Sequence, residues 1–184
     1  MLGMTKKYNF TVKLKLHSIK NVKMNWKKLI VTGFGAGYLP IGPGSWGTFP
    51  GMFLCWLMQV LSSVFYLGFI LLLGWVTVPL VTEIEKQLGK KDHGAIVIDE
   101  IIAFPLTMFL IPLSLGTLLL GFFLNRLMDT LKPWPCKRFE ELQGGWGVML
   151  DDLMAAIYSC IGMHFALHFW PHLSTFYSIA APFS

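Results

Sequence analysis

From Val64 to Val81 the chain runs eighteen residues without a charged side chain. A helix of that length rises about 27 Å, close to the roughly 30 Å of a bilayer's hydrocarbon core. Such a segment either crosses a membrane or lies deep in a large soluble core, and composition separates the two. Of the 184 residues 54% are hydrophobic and only 14% charged, and the mean hydropathy is +0.59. A small membrane-embedded helical protein is therefore expected. A shorter apolar run, Met52 to Leu61, lies just before it across Ser62 and Ser63, so the two predict a helical hairpin. Ala95 to Pro112, with a kink at Pro105, and Ser114 to Met128 predict a second hairpin that turns at Pro112 and Ser114. A last helix is expected from about Val148 to His168. The expected fold is all-α, a membrane-embedded bundle of about four to five apolar helices with a Gly/Pro-rich cytoplasmic loop.

That loop is the stretch Leu29 to Gly51, LIVTGFGAGYLPIGPGSWGTFPG, whose density of glycine and proline predicts ordered loop in place of helix. Gly42, Gly44 and Gly47 fit G-x-G-x-x-G, but Pro43 interrupts it and no βαβ unit comes after it, so a dinucleotide site is not expected. Two readings stay open. One is a nest of backbone N–H groups for a phosphate, ending with Ser45 and Thr48 at a helix start. The other is a glycine-rich turn that lets helices approach closely. Glu83, Glu85, Lys86, Lys90 and Lys91 mark a return to water, and Asp92 to Gly94 is expected to close that helix. KPWP at Lys132 to Pro135 stops another, and Gly144, Gly145 and Gly147 predict a flexible approach to the last.

Residues 29–184 read as one unit, preceded by a basic extension, 1–28, that holds no acid. There Val12, Leu14 and Leu16 alternate with Lys13, Lys15 and His17, which fits a short strand, a lipid-surface segment or a solvated tail. No apolar stretch of a signal peptide interrupts its lysines, so it is expected to stay in the cytoplasm. Cys55, Cys136 and Cys160 are too far apart for a CxxC pair and read as reduced bystanders. The net charge of +5 points to anionic lipid, because the basic residues do not alternate with stacking aromatics as a nucleic-acid surface requires.

If each apolar run crosses once, the glycine-rich loop, the 82–98 loop and the 129–150 loop share one side. The fifteen lysines and arginines then fall on or near that side, which the positive-inside rule makes cytoplasmic. Every acid lies there too, or one turn inside the helices.

Asp99, Glu100, Asp129, Asp151 and Asp152 come from three predicted helices that this topology brings to one level. Carboxylates converging without nearby cations at Asp99 and Asp151 suit a hard divalent cation such as Mg²⁺. Adjacent helical residues diverge by about 100°, so one acid of each pair is expected to be a ligand and the other to cap the helix or orient a neighbour. Asp151 and Asp152 also fit plain helix capping. Arg126 and Asp129 fit an i,i+3 ion pair, but Lys132 comes three residues on, and two cations beside a metal are what a phosphate monoester requires. His93 reads either as a proton donor to a leaving alkoxide or as a bystander at a helix end, and His164, His168 and His172 as interfacial residues of the far side. No cysteine-phosphatase or aspartyl-phosphate motif is present, which leaves attack by metal-activated water. A transporter lined by carboxylates is the alternative, though it needs acids near the membrane midplane. A scaffold gives Asp99 and Asp129 no reason to exist.

Four stretches carry a resemblance: TGFGAGYLPIGPGSWGT at Thr32 to Thr48, DHGAIVIDE at Asp92 to Glu100, NRLMDTLKPWP at Asn125 to Pro135 and GGWGVMLDD at Gly144 to Asp152. In this order and spacing the chain resembles the bacterial phosphatidylglycerophosphatase A family. Ala103 and Cys136 stand where the family usually has Gly and Ile. The apolar runs and the charge asymmetry, more than the resemblance, predict a multi-pass protein of the bacterial inner membrane with its site facing the cytoplasm. The resemblance implies Mg²⁺-dependent removal of the terminal phosphate of phosphatidylglycerophosphate, giving phosphatidylglycerol and inorganic phosphate.

Overall fold

The computed structural model describes residues 25–39, 42–91 and 93–175, and the regular elements among them are helices. Helix α1, Trp26–Val31, starts where the Asn25 side chain accepts from Lys28 N at 2.8 Å. It takes in Trp26, Lys27 and Lys28, so the last residues of the basic extension fold as part of the helical unit, while the alternation at residues 12–17, with its three readings, lies outside the described residues. A short 3-10 turn, Ala36–Tyr38, precedes α2, Pro43–Met58. The loop expected up to Gly51 is thus wrong in its second half. Proline at the first helical position is preorganised for a helix, and glycine stands at the helical positions 44 and 47 where a Cβ would crowd α4 and the side chains it carries. A Cβ on Gly47 would lie 2.6 Å from Glu100 Oε2 and 2.8 Å from Val97 Cβ. Close helix approach is therefore one use of these glycines.

Helix α3, Ser63–Leu88, continues past Glu83 and is closed by Gly89 at φ 66°, before the DHG motif expected to close it. Helix α4, Ile98–Thr107, carries Asp99 and Glu100 in its first turn. Helix α5, Leu115–Leu131, begins with a Ser114–Thr117 capping box and ends at Lys132, φ 44°. A short helix, α6, Cys136–Glu140, lies in the expected loop. Helix α7, Gly145–Phe169, begins earlier than expected, and α8, His172–Thr175, comes after it. Gly145 and Gly147 are packed, not a flexible approach: a Cβ on Gly145 would stand 2.9 Å from Val81 Cβ, and one on Gly147 2.6 Å from Leu142 O. Gly145 N also donates to Thr82 Oγ1 at 2.8 Å, so α3 caps the start of α7.

Helix α4 is the centre. It packs against α2, α3, α5 and α7, and every residue from Ile102 to Thr107 is buried. Polar links hold it in register: Thr107 Oγ1 donates to Asn125 Oδ1 at 2.9 Å, and Tyr66 OH to Pro105 O at 2.9 Å. Ahead of it, Val97 N donates to Val31 O at 3.0 Å, fixing where its first turn begins. With ten residues α4 rises about 15 Å, half a bilayer core, so this helix alone does not supply the crossing expected of the Ala95–Pro112 run.

The surrounding helices turn apolar stripes outward at helical spacing: Phe49, Phe53 and Leu57 on α2, Leu115, Leu119 and Phe123 on α5, and Ile157, Ile161 and Phe165 on α7. Water does not tolerate so much contiguous apolar surface without a partner. Helices α3 and α7, of 26 and 25 residues, are each long and apolar enough to cross a membrane, and only 33% and 39% of their apolar windows is buried. The turn at Gln59–Ser63 and the segment Met108–Leu113 meet at one end of the molecule. The charged residues gather at the other.

Candidate active site

Four helix ends build the charged cavity. The starts of α2 and α4 bring Gly44 and Ser45, and Asp99 and Glu100; the second turn of α7 brings Asp151 and Asp152; the last two turns of α5 and its C-cap bring Arg126, Asp129 and Lys132. Helix starts concentrate unpaired N–H groups and the positive end of the helix dipole, which favours the placing of acids such as Asp99 and Glu100 there. The cavity is about 290 Å³.

Arg126 divides its guanidinium between Glu100 Oε1 at 3.1 Å and Asp129 Oδ2 at 3.2 Å. Lys132 Nζ lies 2.6 Å from Asp151 Oδ2 and 3.2 Å from Glu140 Oε2. Burial works to lower the pKa of Lys132, but hydrogen bonding and the charges of Asp151 and Glu140 outweigh it and hold the ammonium above its ordinary range. Asp151 is therefore not without a cation, contrary to expectation: the αL cap at Lys132 turns its side chain back toward α7. Its second oxygen, Oδ1, is buried and has no hydrogen-bond partner. Oxygens of Asp129, Asp151 and Asp152 lie within 4.8 Å of one another, one from each residue. Both members of the α7 pair, of which one was expected to be a ligand and the other to cap the helix or orient a neighbour, thus come close to Asp129. This donor set, with one orphaned buried oxygen, fits a hard cation. Glu100 stands apart from it, held by Arg126, and Asp99 Oδ1 accepts from Glu100 N at 3.0 Å.

Ser45 lies on the cavity wall. Thr48 does not. It is fully buried, and its hydroxyl donates to Gly44 O at 3.1 Å, one turn back in α2, so its expected contact with phosphate is corrected. His93 is also off the wall, and its Nδ1 accepts from Ala95 N at 3.2 Å. Two charged wall residues escaped the sequence reading. Lys91, whose ammonium donates to Glu140 O, reads only as a return to water, and Glu140 reads as one charge of a loop. Nothing local in the sequence distinguishes Glu140 from Glu141; the adjacency of Lys91 to the DHG motif is the one available signal.

Six carboxylates face three cations among the described wall residues, a formal charge of minus three when all are ionised. Apolar stripes outside a bundle of helices, with such a cluster at one end of the described residues, mark the class: a membrane-associated helical protein with a charged site at one end. The chain belongs to the phosphatidylglycerophosphatase A family, whose profile matches residues 29–167, and it is a phosphatase. It is 34% identical over 145 residues to the Escherichia coli protein named phosphatidylglycerophosphatase A, covering 78% of this chain and 84% of that one. Its identity to the Haemophilus influenzae protein of the same name is 37% over 145 residues, 77% and 88% of the two chains. A Bacteroides thetaiotaomicron protein, provisionally named phosphatidylinositol-3-phosphatase, is 31% identical over 147 residues, 72% and 88%. No solved structure gives a significant match.

Proposed function

We propose that the chain hydrolyses the terminal phosphate of phosphatidylglycerophosphate, releasing phosphatidylglycerol and inorganic phosphate, with Mg²⁺ held by Asp129, Asp151 and Asp152. The observation that carries this reading is the charge of the cavity. Six carboxylates against three cations give the wall no net positive charge with which to receive a phosphate dianion unless a cation accompanies it, and the three clustered carboxylates are where hard oxygen ligands are available. When bound, the ion supplies Lewis acidity and a source of activated water. Arg126 and Lys132, each shared between two acids, turn to the phosphoryl oxygens and neutralise the charge that builds there. Asp99, on the wall but outside the three-carboxylate group, accepts the proton of the attacking water. The water oxygen bonds to phosphorus, the bond from phosphorus to the glycerol oxygen breaks, and a second water protonates that oxygen. Water suits this role better than His93, which lies off the cavity wall. Ser45 and the amides at the start of α2 hold the remaining phosphate oxygen.

The relatives' names describe lipids that share a phosphate monoester on a polyol, itself joined through a phosphodiester to diacylglycerol. The head alcohol is what differs. In this reading α3 and α7 belong to a multi-pass arrangement in the bacterial inner membrane. The concentration of lysine and arginine at the site end supports a site that faces the cytoplasm. Carboxylates grouped at one end also speak against a transport pathway through the midplane.

Purified protein should release phosphate from phosphatidylglycerophosphate with Mg²⁺ and lose that activity in chelator. Phosphatidylinositol 3-phosphate should be turned over at least tenfold less efficiently, by roughly the margin that one well-read hydroxyl pattern supplies. Equal rates with and without Mg²⁺ would remove the metal from the proposal, and preference for the inositol lipid would replace the substrate.

A further inference from the structure

A cavity of about 290 Å³ is at the small end of the roughly 300–1,000 Å³ typical of ligand pockets. It has room for a phosphorylated glycerol and an ion, and none for two acyl chains. The rest of a lipid substrate must lie elsewhere.

A groove of about 1140 Å³ runs along the C-terminal half of α3 and the start of α7. Trp75, Val76 and Pro79 of α3 and Trp146 of α7 line its apolar part. Lys86, Lys90 and Lys91 stand at its other end, with Glu83 and Glu85 beside them. Glu83 is already paired with Lys27 at 2.6 Å. The two tryptophans are 65% and 44% exposed, and indole rings favour the depth at which acyl chains meet head groups. Lys91 lines both the groove and the charged cavity, and its ammonium donates to Glu140 O at the rim between them. The groove is thus apolar toward the middle of α3, cationic toward its end, and continuous with the site through one lysine.

We propose that this groove seats the diacylglycerol and inner phosphodiester of the lipid whose terminal phosphate occupies the charged cavity, and that Lys91 reads the phosphodiester. The inference rests on the phosphatase reading above. It makes α3 and α7 the determinants of lipid selectivity, and it explains why a site at the end of the molecule adjoins an open apolar face.

The test compares phosphatidylglycerophosphate with its deacylated counterpart, which keeps both phosphates and lacks the chains. Val76→Trp fills the apolar part with another apolar side chain. It should raise KM for the lipid about tenfold with kcat little changed. The deacylated ester should bind the variant and the parent alike, read as KM if it is turned over and as Ki against the lipid if it is not. Lys91→Gln should raise the constant for both esters, and Lys91→Arg should restore most of the loss. An unchanged lipid KM in Val76→Trp, or equal weakening of both esters, overturns the groove as the acyl seat. A fall in kcat alone in Lys91→Gln overturns its role as reader of the phosphodiester. Equilibrium binding of phosphatidylglycerol in micelles, which needs no turnover, should weaken about tenfold in Val76→Trp. That arm holds even if the parent releases no phosphate, an outcome that sinks the phosphatase reading; undiminished binding sinks the groove.

Discussion

Arg126 reaches Glu100 and Asp129 at nearly equal distances, 3.1 and 3.2 Å, which makes it the residue that separates an ion-pair network from a catalytic site. If Asp129 only balances Arg126, then Asp129→Asn combined with Arg126→Gln recovers what either single change loses, because a half-broken pair costs more than a missing one. In the proposed site the roles differ. Each single variant should lose about 100-fold or more in phosphate release, the double should be no better than the worse single, and Asp129→Asn should need more Mg²⁺. Recovery in the double at the parent's Mg²⁺ requirement would take Asp129 out of the metal site. Lys132 offers a pH test. Its raised pKa means that its pairing stabilises the fold fully below the ordinary lysine value of about 10.5 and is lost only as pH climbs through the raised value. The thermal stability advantage of the parent over Asp151→Asn should therefore be constant from about pH 7 to 9 and shrink above about pH 10.5. Shrinkage below pH 9 would mean that another group sets it. At this scale the sequence is informative about acids and poor about partners. Asp99, Asp129, Asp151 and Asp152 stand out because charge between apolar runs is costly, whereas the Lys132–Asp151 contact spans nineteen positions and depends on a left-handed backbone cap that no spacing reveals.

Helix α2 shows how an element can contradict its own composition. Pro43, Gly44, Gly47, Pro50 and Gly51 predict a loop by intrinsic preference, yet they form its first half because α4 must come within reach. Gly51 repeats the reason one turn on: its Cβ would lie 3.0 Å from Phe104 Cβ. Gly47→Ala should therefore destabilise the protein by about 1–3 kcal/mol, as overpacking does, and lower activity by pushing Glu100 aside. Thermal unfolding in detergent measures the first effect and phosphate release the second; unchanged values in both would show that α2 and α4 are not in such contact. The long helices are easier to read, since α3 and α7 can be inferred from hydropathy and length alone. Short α6 has no such signal: five residues next to Pro135 carry no period long enough to detect.

For the molecule as a whole, the two ends differ in chemistry, and topology can be read from outside. In a variant lacking Cys55, Cys136 and Cys160, single changes Gln87→Cys and Gln143→Cys should be shielded from an impermeant thiol reagent in intact cells, while Thr175→Cys is labelled. Labelling at Gln87→Cys would invert the proposed orientation. The two long helices rise about 39 and 37 Å, more than the roughly 30 Å of a hydrocarbon core, so in a bilayer they tilt or protrude. Helix α4 is walled off from the acyl chains by its four neighbours. The two acids of α7 thus ride on a helix that adjusts to the thickness of the membrane, while the two acids of α4 ride on one that is held by protein alone. In the proposed membrane arrangement lipid chain length would act on the gap between them as a screw acts on the jaws of a vice, and turnover of a fixed substrate should peak at one bilayer thickness and fall on either side.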